Sequence, residues 1–274
     1  MTQPRAIILR SAGTNCDLEM VRGFQLAGAR TDLMHLDRLI ADPARLADYD
    51  LVGFAGGFSY GDDLGAGRVF AVKVRERLYP ALRDAADRGV PMLGVCNGFQ
   101  TLVQTGLLPG CAPGAWPADA PPAQTVALAV NARGRFIDDW ARVQYDDQSP
   151  CVWTAGLSAF PDVARMLPLA SGEGRFIAPD PVIEALQRNG QVPVTYVDNV
   201  NGSKAAIAGI CDPSGRIFGL MPHPDRYLDW SNHPFWTSID PADRRGDTPG
   251  LRLFRNAVES VSNGAATARC APVV

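Results

Sequence analysis

One cysteine stands between two glycines at a spacing that suits covalent catalysis. Cys96 has Gly94 and Gly98 two residues away on either side, within the segment 90–100. An apolar strand precedes it and a helix is predicted to follow, which is typical of a nucleophile elbow. The N-terminus of that helix supplies positive potential that favours a thiolate. We therefore predict that Cys96 is a nucleophile. The alternative is a buried, inert cysteine in a strand-to-helix turn.

A second glycine-rich segment follows another apolar run. Gly56 and Gly57 follow residues 51–54 after one alanine and precede Phe58. Backbone N–H groups at such glycines can turn towards an anion, and with the N–H of Asn97 they would form an oxyanion hole. A phosphate-binding loop is disfavoured because no Gly-Lys-Ser/Thr sequence ends the segment. A flexible surface loop is the alternative for residues 61–67.

A thiol nucleophile needs a base, and the chain has three histidines. His223 directly follows an apolar strand, stands between two prolines and has Asp225 two residues on. In this arrangement the carboxylate can orient the imidazole, which is the third role in a Cys-His-acid triad. His35 lies in a strand-like run and is predicted to be structural, and His233 in a polar loop is the second candidate. The predicted catalytic set is therefore Cys96, His223 and Asp225.

The elements that position these residues alternate between strand and helix over the first hundred residues. Strand-like apolar runs occupy residues 6–9, 31–36, 51–54 and 90–95. Helical segments are predicted between them at residues 16–27 and 69–82. Short buried runs alternating with helices indicate βαβ units and a parallel sheet, so the prediction is an α/β fold.

The second half of the chain is richer in short strand-like pieces. They cover residues 126–130, 143–145, 152–154, 194–197, 207–211 and 217–221, and a proline-rich loop covers 111–124. Asn201-Gly202 is a strong hairpin turn signal. A closing helix has one buried face, formed by Leu251, Phe254, Ala257, Val258 and Val261. We predict one domain over residues 1–262 and a flexible tail over 263–274.

Composition narrows the function classes. The 274 residues carry a net charge of -3 with acids and bases interspersed, so neither nucleic acid nor a membrane surface is an expected partner. The six cysteines include no C-x-x-C pair, which argues against a disulfide framework and a zinc site, and we expect no metal. The apolar run at residues 6–9 is too short for a signal peptide, so we predict a cytoplasmic location.

Taken together, these segments resemble the class I glutamine amidotransferases, which use a Cys-His-Glu triad. The resemblance runs from Ser11–Asp17 to Leu251–Asn256 and is most specific at residues 56–62, 94–100 and 172–176. Residues 201–210 and 221–224 belong to the same pattern. The resemblance points to the branch of the family that serves purine biosynthesis. It implies a flavodoxin-like fold with a mixed, mostly parallel sheet flanked by helices.

The resemblance also implies a reaction. Cys96 would attack the side-chain amide of L-glutamine, giving a γ-glutamyl thioester and ammonia, and His223 would protonate the ammonia and then activate water. The implied substrate-binding residues are Gly56, Gly57, Phe58, Asn97 and Gln100. The ammonia would pass to a larger, ATP-dependent synthetase subunit, with a small third subunit as a further possible partner. No cofactor is implied for this chain.

Two residues depart from the family pattern, and two rival functions stay open. Asp225 stands where the family has Glu, and Ser171 where the family usually has His. One rival is an independent cysteine hydrolase, such as a γ-glutamyl peptidase. The other is a degenerate, non-catalytic subunit of an assembly. The segment 227–249, which is longer than in compact family members, is predicted to be a partner-docking surface or a lid.

Overall fold

A nine-stranded mixed sheet forms the centre of the protein. The computed structural model describes residues 3–269. The strands are β1 Arg5–Arg10, β2 Arg30–His35, β3 Leu51–Phe54, β4 Met92–Val95, β5 Ala127–Ala129, β6 Ile137–Tyr145, β7 Met166–Ser171, β8 Arg175–Ile177, β9 Val194–Tyr196, β10 Ile207–Cys211 and β11 Ile217–Leu220. The large sheet has the order β2-β1-β3-β4-β11-β10-β9-β6-β7, and β5 pairs with β8 in a separate ribbon.

The first half of the sheet is parallel. β1 pairs with both β2 and β3, β3 pairs with β4, and β4 pairs with β11, all in parallel. The strands from β11 to β7 pair antiparallel. The predicted α/β class with a mixed sheet is thus confirmed. In open sheets of this kind, ligands bind outside the carboxyl ends of the strands, where the strand order reverses; here the reversal is at β1.

Helices cover both faces of the parallel half. They are α1 Asp17–Leu26, α2 Leu36–Ala41, α3 Arg68–Arg77, α4 Tyr79–Asp87, α5 Asn97–Gln104, α6 Asp180–Arg188 and α7 Pro249–Arg269. Neighbouring residues of β3 show the two layers. A side chain at Gly53 would meet Met20 and Phe24 of α1, whereas the ring of Phe54 packs against Phe70 of α3.

A glycine allows the helix that follows Cys96, α5, to approach the sheet closely. A Cβ at Gly98, in the first turn of α5, would lie 1.9 Å from the carbonyl oxygen of Phe54, at the end of β3. Real Cβ atoms are never this close to a backbone oxygen, so only glycine fits here. The approach brings the turn at Cys96 beside the loop that follows β3. The second glycine of the elbow is therefore needed for packing.

Several predicted elements differ from those observed. The helix predicted over residues 69–82 is two helices, because the chain leaves helical geometry at Leu78 and Pro80 starts the second. Residues Val152–Thr154, predicted as strand-like, form a 3-10 turn. Four elements were not predicted at all, namely α2, β7, β8 and α6. In β7 and α6, prolines at positions 168 and 181 hide the pattern.

The last helix runs beyond the predicted end of the domain. It continues to Arg269. The flexible tail over 263–274 stays a prediction. Residues 270–274 lie outside the described part of the chain. Among residues 3–269, no helix combines the length and apolar character needed to cross a membrane.

Candidate active site

The predicted catalytic residues meet at the carboxyl edge of the parallel strands. Cys96 directly follows β4, Gly56 follows β3 and His223 follows β11, and these three strands are adjacent in the sheet. The loop after β1 completes the group, since Thr14 forms a β-bridge with Gly57. Four loops that are distant in sequence thus surround one site.

Cys96 occupies a strained turn between β4 and α5. Its backbone has φ 51° and ψ −107°, outside the regions that L-residues favour. Its N–H donates to the carbonyl of Leu220 at 2.9 Å, and its carbonyl accepts from the N–H of Gln100 at 3.0 Å. Strain of this kind costs about 1–3 kcal/mol and persists where the surroundings impose it. The side chain is 7% exposed and its sulfur lies 3.6 Å from the carbonyl oxygen of Ala170.

His223 and Asp225 form a buried pair. The His223 N–H donates to the carbonyl of Pro168 in β7 at 2.7 Å, which ties the turn to the antiparallel half of the sheet. Nδ1 of His223 lies 3.3 Å from Oδ1 of Asp225. The two atoms are close enough for an ion pair but are not aligned as a hydrogen bond, and within residues 3–269 neither has another hydrogen-bond partner.

The surroundings of His223 favour its charged form. Burial opposes a charge on the imidazole, yet the carboxylate of Asp225 and the thiols of Cys16 and Cys96 outweigh it and hold the pKa of His223 well above its ordinary value. The site therefore favours the imidazolium form of His223. That form can stabilise a thiolate at Cys96 and can give its proton to a leaving amine.

The double glycine packs directly against the base. A Cβ at Gly56 would lie 2.9 Å from Cε1 of His223. Gly57 has φ +133°, and a Cβ there would lie 2.6 Å from the N–H nitrogen of Asn15. The Phe58 N–H donates to the carbonyl of Gly13 at 2.9 Å, and the Phe58 ring stays exposed. Both glycines are thus required by packing, independently of the predicted oxyanion role.

The side chains of Asn97 and Gln100 bind other parts of the protein. Asn97 accepts from the N–H of Ser59 at 3.3 Å and donates to Asp62 at 2.9 Å and to Gln100 at 3.1 Å. Gln100 is 3% exposed, and its amide nitrogen donates to the carbonyl of Glu173 at 2.6 Å. Both ends of the Gln100 amide are therefore engaged with the protein itself.

Two carboxylates that were not predicted as site residues bind the glycine-rich loop, residues 56–67. Glu173 accepts from the N–H of Ala66 at 3.2 Å, and Asp62 accepts from the N–H of Gly67 at 3.2 Å. Burial raises the pKa of Asp62, although the donors Gly67 and Asn97 oppose this. We call Asp62, Asn97, Gln100 and Glu173 the latch. Asp62 and Glu173 lie within the motifs at 56–62 and 172–176. Membership of these motifs is the sequence feature that could have identified them as site residues.

The other two histidines have structural surroundings. His35 caps α2 by accepting from the N–H of Asp37 at 3.2 Å. The ring nitrogens of His233 lie 2.8 Å from the carbonyl oxygen of Val163 and 3.1 Å from the N–H nitrogen of Phe235. Burial lowers the pKa of His233. Of the three histidines, only His223 lies beside Cys96.

Ser171 ends the strand that lies over the nucleophile. Its backbone carbonyl accepts from the side chain of Asn131 at 2.7 Å. Its hydroxyl is buried, with no hydrogen-bond partner among the described residues. A Cβ at Gly174 would lie 2.5 Å from that hydroxyl. Ser171 thus packs under the turn of the 172–176 motif.

Comparison with known proteins agrees with this geometry. Residues 3–261 match the CobB/CobQ-like glutamine amidotransferase domain. The PurQ subunit of phosphoribosylformylglycinamidine synthase from Dehalococcoides mccartyi is 40% identical over 266 residues, covering 94% of this chain and 98% of its own length. The PurQ subunit from Mycobacterium tuberculosis H37Rv is 39% identical over 258 residues, covering 92% and 95%. A chain of the PurLQS structure from Thermotoga maritima superposes with a TM-score of 0.66 at 30% identity, covering 95% of this chain and all of that one.

Proposed function

This chain belongs to the family of PurQ subunits of phosphoribosylformylglycinamidine synthase, and we propose that it hydrolyses L-glutamine through Cys96 and delivers the ammonia to a synthetase subunit. That subunit would use ATP to convert formylglycinamide ribonucleotide into formylglycinamidine ribonucleotide. The observation that supports the proposal most directly is the placement of Cys96, at positive φ on the N-terminus of α5, beside the buried pair of His223 and Asp225.

The proposed reaction proceeds through a thioester. The sulfur of Cys96 attacks the side-chain carbonyl carbon of glutamine, and backbone N–H groups at Gly57 and Asn97 stabilise the oxyanion. His223 gives its proton to the nitrogen as the C–N bond breaks, and ammonia leaves. His223 then takes a proton from water, which attacks the thioester and releases glutamate and the thiol. The carboxylate of Asp225 stabilises the imidazolium each time His223 carries the proton.

The substrate-binding residues remain part of the proposal. Gly56, Gly57 and Phe58 would form one wall of the glutamine site. Gly56 packs against His223 at one end of this segment, and the exposed ring of Phe58 lies at the other. Asn97 would contribute its backbone N–H. Gln100 would act through Glu173, since its own amide is already bonded at both ends.

The chain would work as one amidotransferase domain in a cytoplasmic assembly. Residues 1–262 form the proposed domain. Its proposed partners are the ATP-dependent synthetase subunit and a small third subunit. A synthetase-bound state would keep the ammonia from bulk water.

We expect the isolated chain to be a poor glutaminase that the synthetase activates. The latch fixes the glycine-rich loop against α5, so the oxyanion hole would be completed only when docking shifts that loop. Coupling between sites is typically about 5–150-fold, and we expect activation in this range. The measurement is steady-state glutamine hydrolysis by the chain alone, then with the synthetase and its nucleotides. Equal rates in both would contradict gating and would favour an independent hydrolase such as a γ-glutamyl peptidase.

We expect the synthetase to dock over the rings of Phe58 and Phe136. These rings stack with centroids 6.4 Å apart. Phe58 directly follows the Gly56-Gly57 pair in the chain, and Phe136 is 53% exposed. Phe136→Arg should weaken binding of the synthetase about 30-fold, as loss of an aromatic anchor of about 2 kcal/mol would. Phe235→Arg is the matched control, since Phe235 is 57% exposed on the 227–249 segment. Weaker binding of the Phe235 variant alone would move the interface to that segment.

A further inference from the structure

A second buried thiol lies beside the catalytic pair. Cys16 stands just before α1, and its N–H donates to the carbonyl of Gly56 at 3.2 Å. Its sulfur, a ring nitrogen of His223 and a carboxylate oxygen of Asp225 all lie within 4.8 Å of one another. A Cβ at Gly56 would lie 3.4 Å from this sulfur. Cys16 therefore belongs to the wall that encloses the imidazole.

The sulfur of Cys16 also accepts a hydrogen bond from an arginine. Nη2 of Arg226 donates to it at 3.0 Å, and the thiol lies 3.3 Å from Oδ1 of Asn15. The guanidinium is half-buried and approaches Glu19 only at 4.0 Å. A hydrogen bond from a charged donor is stronger than a neutral one and fixes its acceptor. Arg226 thus holds the sulfur of Cys16 in place.

The contact between His223 and Asp225 does not by itself fix the orientation of the imidazole ring. The carboxylate supplies charge at 3.3 Å but no aligned hydrogen bond, and neither of its oxygens has another partner in the described part of the chain. An ion pair without an aligned hydrogen bond sets the protonation of the ring more than its direction. The direction of the ring must then come from packing against Gly56 and Cys16.

We propose that Cys16, fixed by Arg226, is a positioning residue that orients the imidazole of His223 for proton transfer to the leaving ammonia. This inference rests on the proposed glutaminase function. Cys16 acts through His223 and does not bond to glutamine. The charged or titratable groups that face the imidazole are Asp225 from its own turn, Cys96 from the elbow and Cys16 from the loop after β1, with Arg226 behind Cys16.

The test is a set of Cys16 variants in the assembled enzyme. Cys16→Ala should lower kcat for glutamine hydrolysis about 10- to 100-fold with KM changed less than about twofold, because small displacements of a catalytic group cost this much. The pH limb that reports His223 should move to lower pH, since one group that supports the imidazolium is lost. Cys16→Ser should recover part of the rate, because its hydroxyl can still accept from Arg226.

Controls separate positioning from folding and from the function itself. Cys151→Ala removes an equally buried thiol, 2% exposed like Cys16, that lies away from His223, and should change neither kcat nor the pH limb. Ammonium-dependent synthesis should stay unchanged in every variant and reports assembly. If Cys16→Ala does not assemble, kcat and the pH limb of Cys16→Ser test the positioning role instead. A raised KM with an unmoved pH limb, or full activity, overturns the positioning role. An unmodified complex that cannot hydrolyse glutamine overturns the proposed function instead.

Discussion

Replacement of Cys96 by Ala is expected to lower glutamine-dependent synthesis by the assembled enzyme by about 10³-fold or more. Synthesis from added ammonium should stay near the rate of the unmodified enzyme. Cys96 would form the thioester as ammonia leaves, and its place in the turn between β4 and α5 of this chain gives it no part in using ammonia at the synthetase. The measurement is product formation with glutamine, then with ammonium, by one preparation of the complex.

A control variant makes this result specific to the site. Cys111→Ala removes a half-buried thiol in the proline-rich loop, and both activities should be unchanged. Cys96→Ala should also remove the fast phase of alkylation by iodoacetamide, whereas Cys111→Ala should keep it. Loss of ammonium-dependent synthesis in a Cys96→Ala complex that still assembles would contradict the assignment of the nucleophile.

The sequence allowed the parallel half of the fold, and the proximity of Cys96, His223 and Asp225, to be predicted because both depend on local patterns. The apolar runs before Gly56, Cys96 and His223 are strands buried on both faces, and such strands read as continuous hydrophobic segments. Since parallel strands share one carboxyl edge, residues that directly follow them must meet. The requirement for glycine on either side of Cys96 is also local in sequence. At Gly98 it arises because the helix backbone lies against the carbonyl of Phe54.

The latch and the support of His223 were not predictable in this way. Glu173 binds Ala66 from 107 residues away, and Arg226 binds Cys16 from 210 residues away. Neither spacing leaves a periodic signal, because these contacts depend on how loops from both halves of the sheet fold over its edge. Pro168 broke the pattern of the strand that carries Ala170 over Cys96. The substrate role predicted for Gln100 likewise took no account of the partners that now occupy its amide.

Replacement of Asp225 by Asn is expected to lower turnover about 10²-fold or more, because an orienting and charge-stabilising partner of the general acid is lost. The carboxylate that most strongly opposes the effect of burial would then be absent, so the pKa of His223 should fall. Alkylation of Cys96 should remain possible, since the N-terminus of α5 still favours a thiolate. The measurements are kcat for glutamine and the rate of iodoacetamide labelling.

The same variant should change stability with a defined sign. The pKa of His223 is raised in the folded protein, so its favourable coupling to Asp225 is fully present below about pH 6.5, the ordinary pKa of histidine, and is lost as pH rises through the folded value. The free energy of unfolding lost in Asp225→Asn should therefore be largest below pH 6.5 and should shrink as pH rises. Thermal unfolding across this range measures it. A difference that grows with pH would contradict an imidazolium at this site.

Replacement of Asp225 by Glu is expected to be tolerated, with kcat closer to that of the unmodified enzyme than to that of the Asn variant. The longer side chain is the residue of the family pattern and keeps the charge that holds the proton on His223. It also adds one methylene in a buried position, where extra volume typically costs about 1–3 kcal/mol of stability. Comparison of the Glu and Asn variants in kcat, at equal ammonium-dependent synthesis, separates charge from packing. A Glu variant as inactive as the Asn variant would mean that the site is built around the shorter acid, with Gly56 and Cys16 set to the ring position that Asp225 allows.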